Sequence, residues 1–211
     1  MKRIVAVILA VLLLVFSVGA FADTNTAETL KGEGWEITDE YAWSTGRYNK
    51  YAFVLLNTSG YNACISVNAI FYDKDDSIVG VASSSENACE NGYSTYWEFS
   101  NDVEFKRVSL RISMEKEEWY KDGGQSAIKL TVSKVNEQKI ILIAENVGKE
   151  AVEFVEYNVL YLKDGRVVST DWGYLIDKDS EIKPGAMEMA EEKCSEDFTE
   201  VKVYAHGRID K

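Results

Sequence analysis

An internal repeat is the feature that most constrains how this chain can fold. Residues 51–57 align with residues 140–146 at an offset of 89, which brings Asn57 onto Asn146. Self-similarity over such a distance is typical of a chain that uses one structural unit more than once. The sequence therefore predicts two copies of one unit.

The aligned region extends through most of each copy. At the offset of 89 it runs without a gap to Gly80 over Ser169, and the offset then becomes 93, as one four-residue insertion in the second copy would produce. Other aligned pairs are Tyr41 with Leu130, Trp43 with Val132, Tyr72 with Tyr161, Gly92 with Gly185, Phe105 with Phe198, and Val108 with Val201.

Both copies show the residue pattern of short β-strands. Residues 65–72 alternate with a period of two, which indicates a strand with one buried face, and residues 154–162 are the corresponding segment. Asp164-Gly165 predicts a type I′ hairpin, because both central residues of that turn need positive φ. Further turns are expected at Asp75-Asp76, Asn91-Gly92 and Pro184-Gly185.

This pattern predicts an all-β protein with two tandem antiparallel β-sandwich domains. No long stretch places apolar residues at the helical period of 3.6. The expected boundaries are residues 1–22 for a signal peptide, 23–116 for the first sandwich with its lead-in, 117–126 for a linker and 127–211 for the second sandwich. One continuous sandwich made from both copies is the alternative.

The first 22 residues have the pattern of a signal peptide. Lys2 and Arg3 precede an apolar run over residues 4–16, and Ala20 and Ala22 are small residues at the positions that a signal peptidase requires. The run is short for a membrane span. We therefore expect cleavage after Ala22 and a mature chain that is secreted or on the exterior of the cell envelope, without membrane insertion.

The mature chain is strongly acidic. Loss of Lys2 and Arg3 with the signal leaves 21 basic and 35 acidic residues, a formal charge of −14. Nucleic acids and anionic membranes are polyanions, so this charge disfavours both as partners. Solubility is the simplest role for such a charge.

Several short motifs recur in the same order in both copies: an asparagine after an apolar run, an aromatic strand end, a charged hairpin and a glycine turn. The motif residues are Asn57, Phe71-Tyr72-Asp73 and Asn91-Gly92 in the first copy, and Asn146, Leu160-Tyr161, Asp164-Gly165 and Pro184-Gly185 in the second. This pattern resembles the FxLYD-type domains of secreted bacterial proteins, with Leu162 replacing the expected aspartate. The resemblance implies an immunoglobulin-like sandwich without catalytic residues.

The three cysteines are expected to have different states. Cys64 and Cys89 are nearly opposite each other on the hairpin centred on Asp75-Asp76, and their counterparts in the second copy are Glu153 and Ile182. Export favours disulfides, so we expect a Cys64–Cys89 bond, with two buried free thiols as the alternative. Cys194 would then be free or form a bond between two chains.

Few residues offer catalytic or metal-binding chemistry. His206 is the single histidine, and a structural or surface role is expected for it. Zinc sites need several Cys or His residues, so no metal and no cofactor is expected. Asp73, Asp75 and Asp76 could suggest calcium, but the glycine and glutamate of an EF-hand are missing, and a solvated turn is the better interpretation.

Aromatic residues are the most informative functional candidates. Trp97 aligns with Ala190, and a position that is apolar in both copies is expected in the core. Four aromatics are the least well explained by core packing: Trp119 and Tyr120 in the linker, and Trp172 and Tyr174 after the second hairpin. Exposed aromatics on a β-sandwich can stack on sugars or contact proteins, so these four are the candidate binding or interdomain residues.

The sequence therefore predicts a non-catalytic extracellular interaction module that binds a protein or glycan partner. A structural or accessory envelope protein without a discrete ligand is the alternative, and a hydrolase of unrecognised type is a remote one.

Overall fold

The computed structural model describes residues 14–15, 30–176 and 178–211, with side chains from residue 31 onward, and in these residues all regular structure is β. The predicted signal peptide lies outside the described residues, apart from a two-residue strand. The strands are β1 (Leu14–Val15), β2 (Leu30–Gly32), β3 (Trp35–Ser44), β4 (Asn49–Asn57), β5 (Ala63–Tyr72), β6 (Ile78–Cys89), β7 (Ser94–Asn101), β8 (Arg107–Lys116), β9 (Tyr120–Asp122), β10 (Ile128–Asn136), β11 (Lys139–Asn146), β12 (Val152–Lys163), β13 (Arg166–Tyr174), β14 (Glu181–Ile182), β15 (Met187–Lys193) and β16 (Glu200–Asp210).

The strands form antiparallel sheets with the same order in both halves of the chain. The first half has the orders β2-β3-β4-β7 and β1-β8-β5-β6. The second has β10-β11-β15 and β13-β12-β16-β9, with β14 added to β12. Each strand from β3 to β8 thus has a counterpart among β10, β11, β12, β13, β15 and β16, and the strand order repeats as the internal alignment predicts.

Alternating apolar residues hold the sheets of each half face to face. In the first half, Phe53 and Leu55 of β4 are fully buried in one cluster with Ile65 and Phe71 of β5, which belongs to the other sheet. Trp97 lies in this core at 3% exposure, as expected from the sequence. Burying each such side chain contributes about 1.5–3 kcal/mol to folding.

The second half is built in the same way. Leu142 of β11 packs in one cluster with Tyr157, Val159 and Tyr161 of β12, and Phe198 closes its end. The tilted rings of Tyr161 and Phe198 lie 5.0 Å apart. The prediction of an all-β, sandwich-like fold is confirmed.

A third apolar cluster joins the two halves. The outer face of the β3-β4-β7 sheet packs on the outer face of the β12-β16 sheet, with Tyr96 and Tyr204 stacked at 5.9 Å. The Lys202 ammonium lies 2.6 Å from the Asp39 carboxylate beside this cluster. Its members are Tyr41, Trp43, Ala52, Val54 and Tyr96 from the first half, and Leu160, Leu162, Val167 and Tyr204 from the second.

Strand register corrects the sequence alignment within β12. Phe71 is paired with Val108, and Tyr161 with Val201, so Tyr161 is the counterpart of Phe71 and not of Tyr72. The ladder shifts by one residue between Glu153 and Glu156, where Phe154 has a φ of 47°. A β-bulge there adds one residue to the strand.

The β3 register also differs from the alignment. Trp43 is paired with Lys50 on the outer side of its sheet, whereas Val132 is paired with Leu142 on the core side. Trp43 is therefore buried in the cluster between the halves, and not in the first core. A register shift between Ile37 and Asp39 reverses which residues of β3 face outward.

Two predicted turns are confirmed by the backbone. Asp164 has a φ of 52° and Gly165 a φ of 76°, which is the pair of positive values that a type I′ turn needs. At the Asn91-Gly92 turn, the Gly92 N–H donates to the Asn57 carbonyl at 2.8 Å.

One buried asparagine performs the same task in each half. The Asn57 amide donates to the Tyr61 and Cys89 carbonyls, at 2.9 Å each. Asn146 donates in the same way to the carbonyls of Glu150, at 2.8 Å, and Ile182, at 2.7 Å. Both asparagines are fully buried, so every one of these hydrogen bonds replaces contact with water.

We expect Asn146→Ala to lower the free energy of unfolding by about 3 kcal/mol, because each buried polar group left without a partner costs about 1–3 kcal/mol. Urea denaturation of the variant measures this. Asn68→Ala, at an exposed strand position, is the control and should change stability by less than about 0.5 kcal/mol. Equal effects of the two substitutions would contradict the role of Asn146.

Candidate functional site

Two of the four candidate aromatics form an exposed pair on strand β13. Trp172 and Tyr174 are two residues apart, so their side chains lie on the same side of the sheet. The indole is 63% exposed and the phenol 46%. Their rings meet edge to face, with centroids 6.0 Å apart and planes at 83°, an arrangement that aromatic quadrupoles favour.

Polar groups border this pair. Glu156 of β12 is paired with Tyr174 in the ladder, and its carboxylate accepts a hydrogen bond from the phenol. Partial burial and this carboxylate raise the pKa of Tyr174, so the hydroxyl remains a donor at neutral pH. The positive charge of Arg208 acts on the same hydroxyl and opposes the shift.

Arg208 connects the pair to two further aromatic rings. Its guanidinium carbon lies 5.1 Å from the ring centre of Phe154 and 5.4 Å from that of Tyr120. It also donates to the Tyr120 hydroxyl at 3.1 Å. Trp172, Tyr174, Phe154, Tyr120 and Arg208 are referred to below as the aromatic face.

The sheet brings these residues together from four strands. Tyr120 lies on β9, which is paired with the end of β16 and thereby extends the β13-β12-β16 sheet. Phe154 lies at the bulge of β12, where it is 40% exposed. Sequence reasoning identified Tyr120, Trp172 and Tyr174, but not Phe154, Glu156 or Arg208. A bulge has no simple sequence signal, and Arg208 is placed by the pairing of β16.

Trp119 lies directly before β9 and outside the ladder that pairs β9 with β16. Its side chain is 80% exposed. Its backbone N–H donates to Glu117 at 2.7 Å, as does the N–H of Tyr120 at 3.2 Å, while the other Glu117 oxygen accepts from the Ala88 N–H at 2.8 Å. The predicted linker is therefore bound to the end of β6 through one carboxylate.

His206 lies where the two halves meet. Its Nε2 atom is 2.8 Å from the carboxylate of Glu86 on β6, and in the ladder of β12 and β16 it is paired with Glu156. This contact joins the halves next to the aromatic face. The structural role expected for His206 is consistent with this position.

The cysteines are free thiols in this structure, which corrects the predicted Cys64–Cys89 disulfide. Cys89 is paired with Ala63 and lies in the first core, whereas Cys64 is the next residue along β5. Successive strand residues point to opposite sides of a sheet. Cys64 accordingly points outward, where its thiol lies 3.0 Å from the side-chain oxygen of Asn87.

Burial controls the chemistry of the other two thiols. Desolvation raises the pKa of Cys89 to about 12, which keeps it protonated and unreactive. Cys194, the residue considered for a bond between chains, is 5% exposed and belongs to the second core. A bond through it would require this part of the core to open.

The residues from 30 to 211, apart from Asp177, contain no group of three or more His, Cys, Asp or Glu side chains arranged to hold a metal ion. Within the same part of the chain, no helix is long and apolar enough to cross a membrane.

We expect Glu117→Gln to lower the free energy of unfolding at pH 7 by about 2 kcal/mol, because hydrogen bonds to a charged group contribute about 1.5–3 kcal/mol. Burial by itself would raise the pKa of Glu117, but the N–H groups of Trp119, Ala88 and Tyr120 lower it below the ordinary value of 4.5.

The contribution of Glu117 should therefore be complete above pH 4.5 and disappear as the pH falls through its lower folded-state pKa. Urea denaturation at several pH values measures the gap between wild type and variant. Glu118→Gln, at an exposed neighbour, is the control. A gap that does not shrink in acid would contradict this assignment.

We expect a thiol reagent to label Cys64 alone in the native protein, and all three cysteines in urea without reductant. Mass spectrometry of the labelled peptides distinguishes them. Failure of Cys64 and Cys89 to react in urea until a reductant is added would show that the predicted disulfide forms after all.

Comparisons with known proteins give no family for this chain. No family model and no curated protein matches its sequence. Among solved structures, a transglutaminase from red sea bream has 7% identity and a TM-score of 0.28, and the match covers 84% of this chain and 29% of that one. The C-terminal globular domain of an oligosaccharyltransferase from Pyrococcus abyssi has 9% identity and a TM-score of 0.22, with coverage of 85% and 48%. The chain thus spans less than half of either protein, and both likenesses are too weak to indicate a function.

Proposed function

We propose that this protein is an exported, non-catalytic recognition protein that binds a neutral glycan through the aromatic face. The observation that carries the proposal is the perpendicular, exposed pair of Trp172 and Tyr174 on a hydrogen-bonded sheet. Export rests on the signal-like pattern of the first 22 residues.

The geometry suits a sugar ring for two reasons. A flat indole with a free surface can stack on the C–H groups of a sugar, and the adjacent ring fixes its orientation. Glu156 and Arg208 supply an acceptor and a donor next to these rings, as sugar hydroxyls require. The formal charge of −14 expected after signal removal favours neutral over anionic glycans.

A catalytic role has less support. Cys89 and Cys194 are buried, the outward-facing Cys64 thiol contacts Asn87, and the single histidine contacts Glu86 at the junction of the halves. A nucleophile is activated by a base within hydrogen-bond reach, and these contacts pair the Cys64 thiol and the His206 imidazole with different groups, which favours the non-catalytic proposal.

We expect the wild-type mature chain to bind neutral glycans on an array, and Trp172→Ala and Tyr174→Ala each to weaken the best ligand at least tenfold. Loss of one stacking ring costs about 1.4 kcal/mol or more, which is a factor of ten in Kd. Isothermal titration calorimetry with that glycan measures the change.

Trp119→Ala is the matched control, because it removes an even more exposed indole outside the aromatic face and should leave binding unchanged. Equal losses in the Trp119 and Trp172 variants would reject the aromatic face. If no glycan binds but a cell-surface protein is recovered in a Trp172-dependent manner, the partner is a protein and the glycan proposal is wrong.

A further inference from the structure

The contact between the two halves uses two different faces. The first, called here the β4-type face, is the outer surface of β4 and β7 with Ala52, Val54 and Tyr96. The second, called here the β12-type face, is the outer surface of β12 and its neighbours with Leu160 and Leu162. Because the halves repeat, each half has one face of each type, and only one of each is covered by this contact.

The second half retains an uncovered β4-type face. In its sheet Ile143 is paired with Met189, and the corresponding pair in the first half is Val54 with Tyr96. In the same way, the pair of Ile141 with Glu191 corresponds to the pair of Ala52 with Glu98. Met189 is 67% exposed and its neighbour Met187 is 64% exposed. Met189 is thus exposed, and Ile141 and Ile143 are partly exposed, whereas their counterparts Tyr96, Ala52 and Val54 are buried in the first half.

Charged residues at the border of this face also repeat. Lys50 and Glu98 form an ion pair at 2.5 Å beside the covered face, and Lys139 and Glu191 form one at 2.5 Å beside the uncovered face. The Lys50 ammonium additionally lies 3.4 Å from the Thr170 hydroxyl of the other half. Lys139 occupies the equivalent position for such a contact with a partner.

The first half retains an uncovered β12-type face. Ile70 is paired with Val81, and the corresponding pair in the second half is Leu160 with Thr170. In the same way, the pair of Tyr72 with Ile78 corresponds to the pair of Leu162 with Val167. Ile78 is 62% exposed and Val81 is 73% exposed. Asp76 and Arg107 form an ion pair at 2.9 Å beside it, and the Arg107 guanidinium lies 3.7 Å from the ring centre of Tyr72.

We propose that the uncovered β4-type face of one molecule binds the uncovered β12-type face of a second copy of this chain, head to tail. The occupant is indicated by the molecule itself, since the contact inside the chain already joins these two kinds of face. Such a contact is heterologous, so it leaves one free face at each end and allows further copies to add.

Two features set the strength of this association. Arg111 is paired with Asn68 in the first half, and Tyr204 is paired with Asn158 in the second, so Arg111 occupies the position that corresponds to Tyr204. The contact between two molecules therefore lacks the stacked tyrosines of the contact inside the chain. The acidic chains also repel each other, and salt screens this repulsion. We therefore expect an association that strengthens with protein concentration and with salt.

Sedimentation velocity of the mature chain over a range of concentrations tests the proposal. The wild type should form dimers and larger species. Met189→Glu damages the β4-type face and Val81→Glu damages the β12-type face, so each variant alone should be monomeric. In an equimolar mixture, the intact β12-type face of the Met189→Glu variant can bind the intact β4-type face of the Val81→Glu variant. The mixture should therefore form dimers and no larger species.

Val147→Glu is the matched control, since Val147 is 54% exposed in the turn after β11, and it should associate like the wild type. A wild type that stays monomeric at all concentrations would overturn the proposal. So would continued association of either face variant alone, or a mixture that remains monomeric. Trp172 lies on neither uncovered face, so glycan binding and association can fail independently.

Discussion

A buried asparagine side chain closes each half of this molecule, and the rest of the sandwich depends on it. Asn57 and Asn146 each donate two hydrogen bonds to backbone carbonyls. One acceptor lies in the turn that follows the asparagine, and the other is the last residue of β6 (Cys89) or of β14 (Ile182). One end of the two packed sheets is thereby fixed in each half. An apolar residue could fill the same space, but it would leave those carbonyls without a donor.

With the sheets fixed, the outer faces decide what the molecule can bind. In the β13-β12-β16 sheet, one end of the outer face is covered by the first half, and the other end carries the aromatic face. The proposed recognition surface thus lies beside the contact between the halves, where Glu86 and His206 meet. A ligand on the aromatic face would lie close to residues of both halves.

Much of the fold was predictable from local patterns. The period-two alternation indicated the strands, and Asp164-Gly165 indicated a type I′ turn that its φ values confirm. The register was less predictable, because a bulge at Phe154 and the shift in β3 each change which side of a sheet the following residues face. The disulfide prediction failed for the same reason: the two cysteines are neighbours across the ladder but point to opposite sides of the sheet.

The amino-acid sequence by itself determined the repeat, the all-β class, the main turns and the candidates Tyr120, Trp172 and Tyr174, because these follow from spacing and residue type along the chain. Only the tertiary structure decided that Phe154 and Arg208 join those aromatics, that Trp119 does not, and that Trp43 and Tyr96 are covered by the other half. Those outcomes depend on which side of a strand each residue faces and on which strands become neighbours. Both are set by pairing between segments that are far apart in sequence.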